Sequence, residues 1–395
     1  MTTLEQWIEP HIAANGEQSG FRLLANGLDA FVARAILIEL AERTLDLQYY
    51  IFRPDQTGSL VIDRLIAAAD RGVWVRLLLD DWGTLEKDDA AVAALDAHPN
   101  IEIRLFNPSV QRKGLGRLVE LVLRFARVNR RMHNKLLIAD NASVVLGGRN
   151  IGDEYCSLGE LDFQDLDVLT AGPIATQATK SFEAYWNSEF AIPVDRIGTF
   201  TRPDPTKSAA ARTSLSERCE RLTDSAYGRA LAGSGLATDL RSHALNLHWA
   251  DAKIIADPPQ KLRQPAGTRS DKSLGGQISP SLRAVRSDLL VVSPYFVPGK
   301  AGVAFFGEQR RGGVTVRVLT NSLAATDVWL VHSGYMKYRR PLFDRWASPA
   351  LAYEVTRGKH GGLEWTGGFT REPGAGFWRP LGARFFSLLP IDSLL

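Results

Sequence analysis

A bilobal α/β fold, each lobe a mixed and largely parallel sheet flanked by helices, is what this sequence predicts. Two observations carry the prediction. Residues 44–79 and 289–319 follow one order: an apolar strand ending in an aromatic pair, a Pro-containing turn, a helical stretch, then a basic residue, Gly and a β-branched strand. Strands alternating with helices in this way form sheets covered by helices. The chain is also long enough for two ordinary domains, at 395 residues, 45% hydrophobic and 23% charged, both usual for a globular protein.

The boundaries follow from composition. Residues 1–200 form the first lobe. Residues 201–235 are rich in Arg, Ser, Thr, Pro and Gly, and Pro258-Pro259 opens a second loop-like stretch, so 201–280 reads as a linker or irregular excursion. Residues 281–395 form the second lobe, which is expected to be incomplete or divergent. A net charge of +3 is too small to name a partner. Cys156 and Cys219 have no paired spacing, which fits a reducing compartment. The N-terminus carries Glu5, Glu9 and Glu17 without an apolar core between them, unlike a secretory signal. No stretch has the length of a transmembrane helix. The expectation is a cytoplasmic protein, able at most to lie peripherally on the inner membrane.

The chemistry concentrates between residues 133 and 150. Residues 132–139 read as a strand, so His133 and Lys135 share one face. Asp140-Asn141-Ala142-Ser143 reads as a turn and Val144-Val145-Leu146 as the returning strand. A four-residue loop sets Ala139 against Val144, Lys135 opposite Gly148 and His133 opposite Asn150. Gly147 and Gly148 then leave room for a ligand's oxygens to approach the backbone, and Asn150 offers an amide beside the imidazole. A neutral His can attack phosphorus or pass a proton, and an ammonium can neutralise the non-bridging oxygens as charge develops on them. Singly, these residues are ordinary strand and turn formers. Together they describe a phosphodiester-cleaving site.

The pattern H-x-K-x4-D-x6-G-G-x-N resembles the signature of the phospholipase D superfamily. Leu45-Asp46-Leu47-Gln48-Tyr49-Tyr50-Ile51, Asn129-Arg130-Arg131-Met132 and Ile151-Gly152-Asp153-Glu154-Tyr155 are most similar to the type C branch of the bacterial cardiolipin synthases. The likeness runs from about residue 20 to about residue 343, with a patch at 366–372. It implies a phospholipase D-like fold of two lobes with one H-x-K motif in each. It also implies a mechanism without metal or other cofactor. One His attacks phosphorus to form a phosphohistidine, the other protonates the leaving alkoxide, and water or an alcohol resolves the intermediate. On this resemblance His133 is the nucleophile, Lys135 the phosphate clamp and Asp140 a supporting carboxylate, while Gly147, Gly148 and Asn150 frame the phosphate.

The chain departs from that pattern in its second half. Aligning Tyr50-Ile51 with Tyr295-Phe296 carries His133 onto Trp378, Lys135 onto Pro380 and Asp140 onto Phe385. Of the seven histidines, His11, His98, His133, His243, His248, His332 and His360, only His133 has Lys two positions later. A truncated or frameshifted second lobe accounts for this most simply. Pairing of two His133 sites in a homodimer, or substitution by His332 or His360, are the other arrangements open to a single motif.

The substrate class rests on residues 112–131. Seven Lys or Arg accompany Leu115, Leu118, Val119, Val122 and Phe125 at helical spacing. A basic amphipathic helix can lie on an anionic membrane, with Arg117, Arg124 and Arg127 as contacts; it can equally cover a core. A nuclease needs basic residues tracking a groove with aromatics for stacking. Here the charge gathers in one segment, which favours phospholipid over nucleic acid. A catalytically silent membrane- or partner-binding protein is the third class that a single motif allows.

Overall fold

The protein is described from a computed structural model covering residues 1–81, 95–108, 131–159, 162–197, 205–263, 271–323, 329–345, 352–357 and 363–367. The basic segment with Arg117, Arg124 and Arg127, and the mapped positions Trp378, Pro380 and Phe385, lie outside the described residues. The chain divides into two compact units, Met1–Leu262 and Arg263–Leu395.

The first unit is built on a nine-stranded sheet. Its strands are β1 (Ser19–Leu24), β2 (Thr44–Tyr49), β3 (Trp74–Asp80), β4 (Ile101–Phe106), β5 (Leu136–Ala139), β6 (Ser143–Gly147), β7 (Asp167–Ala171), β8 (Ala191–Pro193) and β9 (His248–Ala250), in the order β8-β4-β3-β2-β5-β6-β7-β1-β9. The expected α/β class holds, with parallel pairing in β2-β3-β4 and antiparallel pairing from β2 through β5, β6, β7 and β1 to β9. The division is physical. Parallel neighbours need a crossover helix, whereas β5 and β6 are joined by a tight turn. Helix α1 (Thr3–Asn15) opens the unit, and α2 (Gly27–Leu40) is buried along most of its length, as expected for a helix apolar on all sides. The crossover α3 (Gln56–Asp70) starts at Asp55, whose carboxylate accepts from the Gly58 amide at 3.0 Å. Helix α4 (Pro173–Trp186) starts with Pro at its first position, where a missing N–H costs nothing.

The unit continues well past residue 200. The stretch read as a linker contains α5 (Pro205–Thr223), α6 (Ala226–Ala232) and α7 (Gly235–Arg241), then β9, which pairs with β1. Leu215, Cys219 and Leu222 of α5 meet the main core, while Arg218 donates to Ser59 at 2.5 Å and Arg241 pairs with Glu39 at 2.9 Å. An apolar stripe of three residues in a polar helix is too thin to stand out in the sequence, although Ala, Arg, Glu and Leu are good helix formers.

The second unit contains α8 (Leu274–Arg283), β10 (Asp288–Val292), α9 (Gly299–Arg311), β11 (Thr315–Asn321), α10 (Trp329–Arg345), β12 (Ala352–Arg357) and β13 (Leu363–Gly367). The sheet runs β10-β11-β12-β13, parallel until the last pair. Strand β10, helix α9 and strand β11 repeat β2, α3 and β3, as the duplicated pattern predicts. His332 is buried on α10, its ring 5.4 Å from that of Tyr335, which belongs to this unit's core. It is a packing residue here.

The β5–β6 register departs from expectation by one residue. Ala139 pairs with Ser143, not Val144, and Leu136 with Leu146. The loop is the shorter Asp140-Asn141-Ala142, because Asp140 and Asn141 both adopt positive φ, at 53° and 56°. Asp and Asn tolerate that region, and two such residues make the tight turn that suits a hairpin's twist. The turn also fixes the Asp140 carboxylate. Its oxygens accept from the Glu42, Arg43 and Thr44 amides at 3.0, 2.8 and 2.9 Å. Asp140 therefore anchors the entry of β2, at the far end of β5 from His133. Asp140→Ala leaves those three amides without their acceptor. We expect it to destabilise the protein by about 1–3 kcal/mol in all, because the three amides are only part-buried and water recovers some of the ~1–3 kcal/mol that each would cost if fully buried. Urea denaturation measures this, and a loss below ~0.5 kcal/mol counts against the anchoring role.

Candidate active site

Strand β5 begins only at Leu136, so His133 and Lys135 lie on the segment that enters it. That entry is held by Asp80, the fully buried last residue of β3, whose carboxylate accepts from the Met132 amide at 3.0 Å and pairs with Arg131 at 3.4 Å. The two motif side chains meet, although the strand expected over 132–139 is present only at Leu136–Ala139 and both residues precede it. The Lys135 ammonium donates to the His133 carbonyl at 2.6 Å and stands 3.0 Å from its Nδ1. The Tyr50 ring lies 4.6 Å from the imidazole and 5.5 Å from the Lys135 ammonium, placing one aromatic face against both groups.

Lys135 is 6% exposed. Burial pulls its ammonium down to about 8, against the opposing pull of the Asp165, Asp80 and Asp167 carboxylates. His133 differs. Its side chain is open to solvent, yet the surrounding groups desolvate the ring. That desolvation, with the Lys135 and Lys261 ammoniums, holds it below the ordinary histidine value. A neutral, reachable imidazole therefore sits beside a buried cation.

The glycines serve a different neighbour from the one expected. Register sets Lys135 against Gly147, whose amide donates to the Lys135 carbonyl at 3.4 Å, and the Gly148 amide donates to Leu166 at 3.1 Å. A Cβ on Gly147 would lie 2.1 Å from an Asp167 oxygen, and one on Gly148 would lie 1.8 Å from an Asp165 oxygen. The missing side chains thus admit two carboxylates close to Lys135, and the backbone there is committed to the protein. Asn150 is buried, and its Oδ1 accepts from the Ile51 amide at 3.0 Å. It fixes the chain just after Tyr50, and the Phe52–Ile151 bridge extends the tie. Asp140 is absent from this constellation.

Beneath the glycines lies a buried charge cluster. Asp167 pairs with Arg34 at 2.9 Å and accepts from the Arg149 amide at 3.1 Å. Arg149 donates onward to the Leu24 and Ala25 carbonyls at 3.0 and 2.8 Å, and Arg34 to the Tyr49 hydroxyl at 2.9 Å. Asp80, Asp165 and Asp167 were not singled out from the sequence. The available signals were an Asp ending the apolar strand at 74–80 and the Asp-x-Asp of Asp165-Leu166-Asp167. Lys261 carries no sequence signal at all.

Comparison with known proteins places this geometry. The family described as cardiolipin synthase, PLD-like domain, matches residues 35–186, which contain the whole constellation apart from Arg34 and Lys261. Cardiolipin synthase C of Escherichia coli (strain K12) is 38% identical over 87% of this chain and 71% of its own length. The chain belongs to the cardiolipin synthase branch of the phospholipase D superfamily. An uncharacterized protein of Helicobacter pylori (strain J99) is 33% identical over 86% of this chain and 67% of its own. The chain thus spans about two thirds of these relatives' length. Phosphatidylserine synthase of Haemophilus influenzae Rd KW20 shares the fold, with a TM-score of 0.54 over 90% of this chain and 78% of its own, at 12% identity.

The buried Lys135 ammonium gives the site a pH dependence on its alkaline side. With His133 below its ordinary value, the imidazole is neutral at pH 7 and needs no alkaline activation. Lys135 loses its proton as pH rises through about 8. Any activity of the site that needs the Lys135 charge is expected to fall as pH rises through about 8 and to be half lost there. Lys135→Arg, which stays charged, should remove that fall even if its level is lower. An unchanged alkaline limb in Lys135→Arg excludes Lys135 as its source.

Proposed function

We propose that this protein is a phosphatidyltransferase of the phospholipase D type, acting on phospholipid through a phosphohistidine at His133. The observation that carries the reading is the neutral His133 imidazole with the Lys135 ammonium 3.0 Å away, in a chain 38% identical to a cardiolipin synthase. His133 attacks phosphorus and forms an N–P bond as the P–O bond to the leaving alcohol breaks. That alkoxide takes a proton. The hydroxyl of an incoming alcohol or water then attacks phosphorus, gives up its proton and releases His133. Lys135 stabilises the charge on the non-bridging oxygens throughout. Resting on His133, the ammonium restrains Nδ1; moving it onto a phosphate frees the imidazole to adopt the tautomer that attacks through Nε2.

These 395 residues contain no second H-x-K, so protonation of the leaving group lacks the partner that the superfamily pattern supplies. General acid help is worth about 10²- to 10⁴-fold, and turnover by this chain alone is proposed to be slowed accordingly. Incubation with vesicles containing phosphatidylglycerol, followed by mass spectrometry, should find an adduct on the peptide carrying His133 and slow transfer products. His133→Ala should lose both while remaining folded. Equal transfer by wild type and His133→Ala overturns the assignment, and faster cleavage of single-stranded DNA than of phospholipid overturns the substrate class.

We further propose that the protein reaches its substrate as a peripheral membrane protein through residues 112–131. Among the described residues no helix is long and apolar enough to cross a membrane. Flotation with anionic vesicles should weaken in high salt, which screens surface charge, and on loss of Arg117, Arg124 and Arg127. Binding indifferent to both argues against this contact.

A further inference from the structure

A cavity of about 420 Å³ lies in the first unit between the head of α3 and the last turns of α5. The mechanism above uses none of its residues. Asp55, Gln56 and Ser59 line it from α3, and Arg218, Cys219 and Arg221 line it from α5. Cys219 and the neighbouring Leu222 tie this wall to the main apolar core. Burial pushes the Cys219 thiol up to about 11, which makes it a wall and not a nucleophile. The polar side chains differ in how far they are committed. Both Asp55 oxygens are taken, by the Gly58 amide at 3.0 Å and the Asp153 amide at 2.8 Å. Arg218 donates to the buried Ser59 hydroxyl at 2.5 Å. Among the described residues, Arg221 and Gln56 make no hydrogen bond or ion pair. Other exposed arginines of these helices do find acids, Arg212 with Asp70 and Arg241 with Glu39.

We infer that this cavity binds a compact phosphate-bearing anion, held by the Arg218 and Arg221 guanidiniums with the Gln56 amide as a further donor. Residues three apart on a helix share a face, so the two guanidiniums meet the cavity side by side. Their planar forks match the oxygens of a phosphate. Two cations face one carboxylate, that of Asp55, whose oxygens are occupied by backbone amides. The end of α3 is not what carries the site, because its Thr57 and Gly58 amides are already bonded to Asp153 and Asp55. The volume falls at the low end of the range for small-molecule pockets, about 300–1,000 Å³, which suits a phosphate on a few carbons better than a lipid. The alternative is a structural strut in which Arg218 fastens α5 to α3 through Ser59. That accounts for Arg218. It leaves Arg221, one turn further along the same wall, with nothing to hold.

The test uses the full chain with inorganic phosphate and glycerol 3-phosphate as probes. Phenylglyoxal modifies reachable guanidiniums, and peptide mass spectrometry reads Arg221 separately from every other arginine. One probe or both should protect Arg221 in wild type. Protection should persist in Lys135→Met, which removes the ammonium of the His133 site. Calorimetric affinity in that Lys135→Met background should fall about tenfold or more on adding Arg221→Met, as expected for loss of a charge-assisted hydrogen bond. It should be unchanged on adding Arg212→Met, which removes the same charge from the same helix. Arg221→Met alone should match wild type in urea denaturation, since Arg221 holds nothing in the fold. Tighter binding of glycerol 3-phosphate assigns the site to a phosphomonoester, and tighter binding of inorganic phosphate to the free ion; either supports it. The inference is overturned by an Arg221 that neither probe protects, by an affinity indifferent to Arg221→Met, or by an equal loss in Arg212→Met. Marked destabilisation by Arg221→Met also overturns it, because that makes the side chain a structural one.

Discussion

An ammonium withdrawn from water has to be kept charged, and the active end of the first unit is organised around that requirement. Lys135 is nearly inaccessible, and an isolated cation in such a place tends to give up its proton. Three carboxylates from three places in the chain oppose the loss: Asp80 at the end of β3, Asp165 just before β7 and Asp167 at its start. None forms a short pair with Lys135 in the hydrogen bonds described. Their influence on the ammonium is electrostatic.

The carboxylates in turn need their own partners, and this sets the architecture beneath the motif. Asp167 lies between Arg34 of α2 and Arg149 of the returning strand's exit, both fully buried. A buried pair of this kind adds little net stability but is costly to break on one side. It therefore specifies where β6, β7 and α2 meet. Gly147 and Gly148 follow from the same crowding, because any side chain there would collide with Asp167 or Asp165. Asn150 completes the frame by binding the backbone after Tyr50. The Gly-Gly-Arg-Asn run is thus a packing solution for two acids.

Conserving a motif's spelling does not assign one role to every letter. His133 and Lys135 come together on the segment entering β5, while Asp140, five residues from Lys135, serves the opposite end of the strand. The tight turn places its carboxylate on the amides of Glu42, Arg43 and Thr44. That contact joins residues nearly a hundred positions apart and leaves no periodic trace. The same holds for the helices at 205–241, which join the first unit through a narrow apolar stripe and ion pairs with Asp70 and Glu39.

The sequence by itself determined the α/β class, the repeated strand–helix–strand units at 44–79 and 289–319, and the His-x-Lys pair that defines the site. All three are local periodicities, and local periodicity survives in a one-dimensional string. Tertiary structure alone decided the one-residue change in hairpin register, the extent of the first unit to Leu262, the anchoring role of Asp140 and the acids around Lys135. Each of these depends on which distant backbone or charge arrives at a buried point. Desolvation makes such meetings energetically decisive, and only the folded chain contains them.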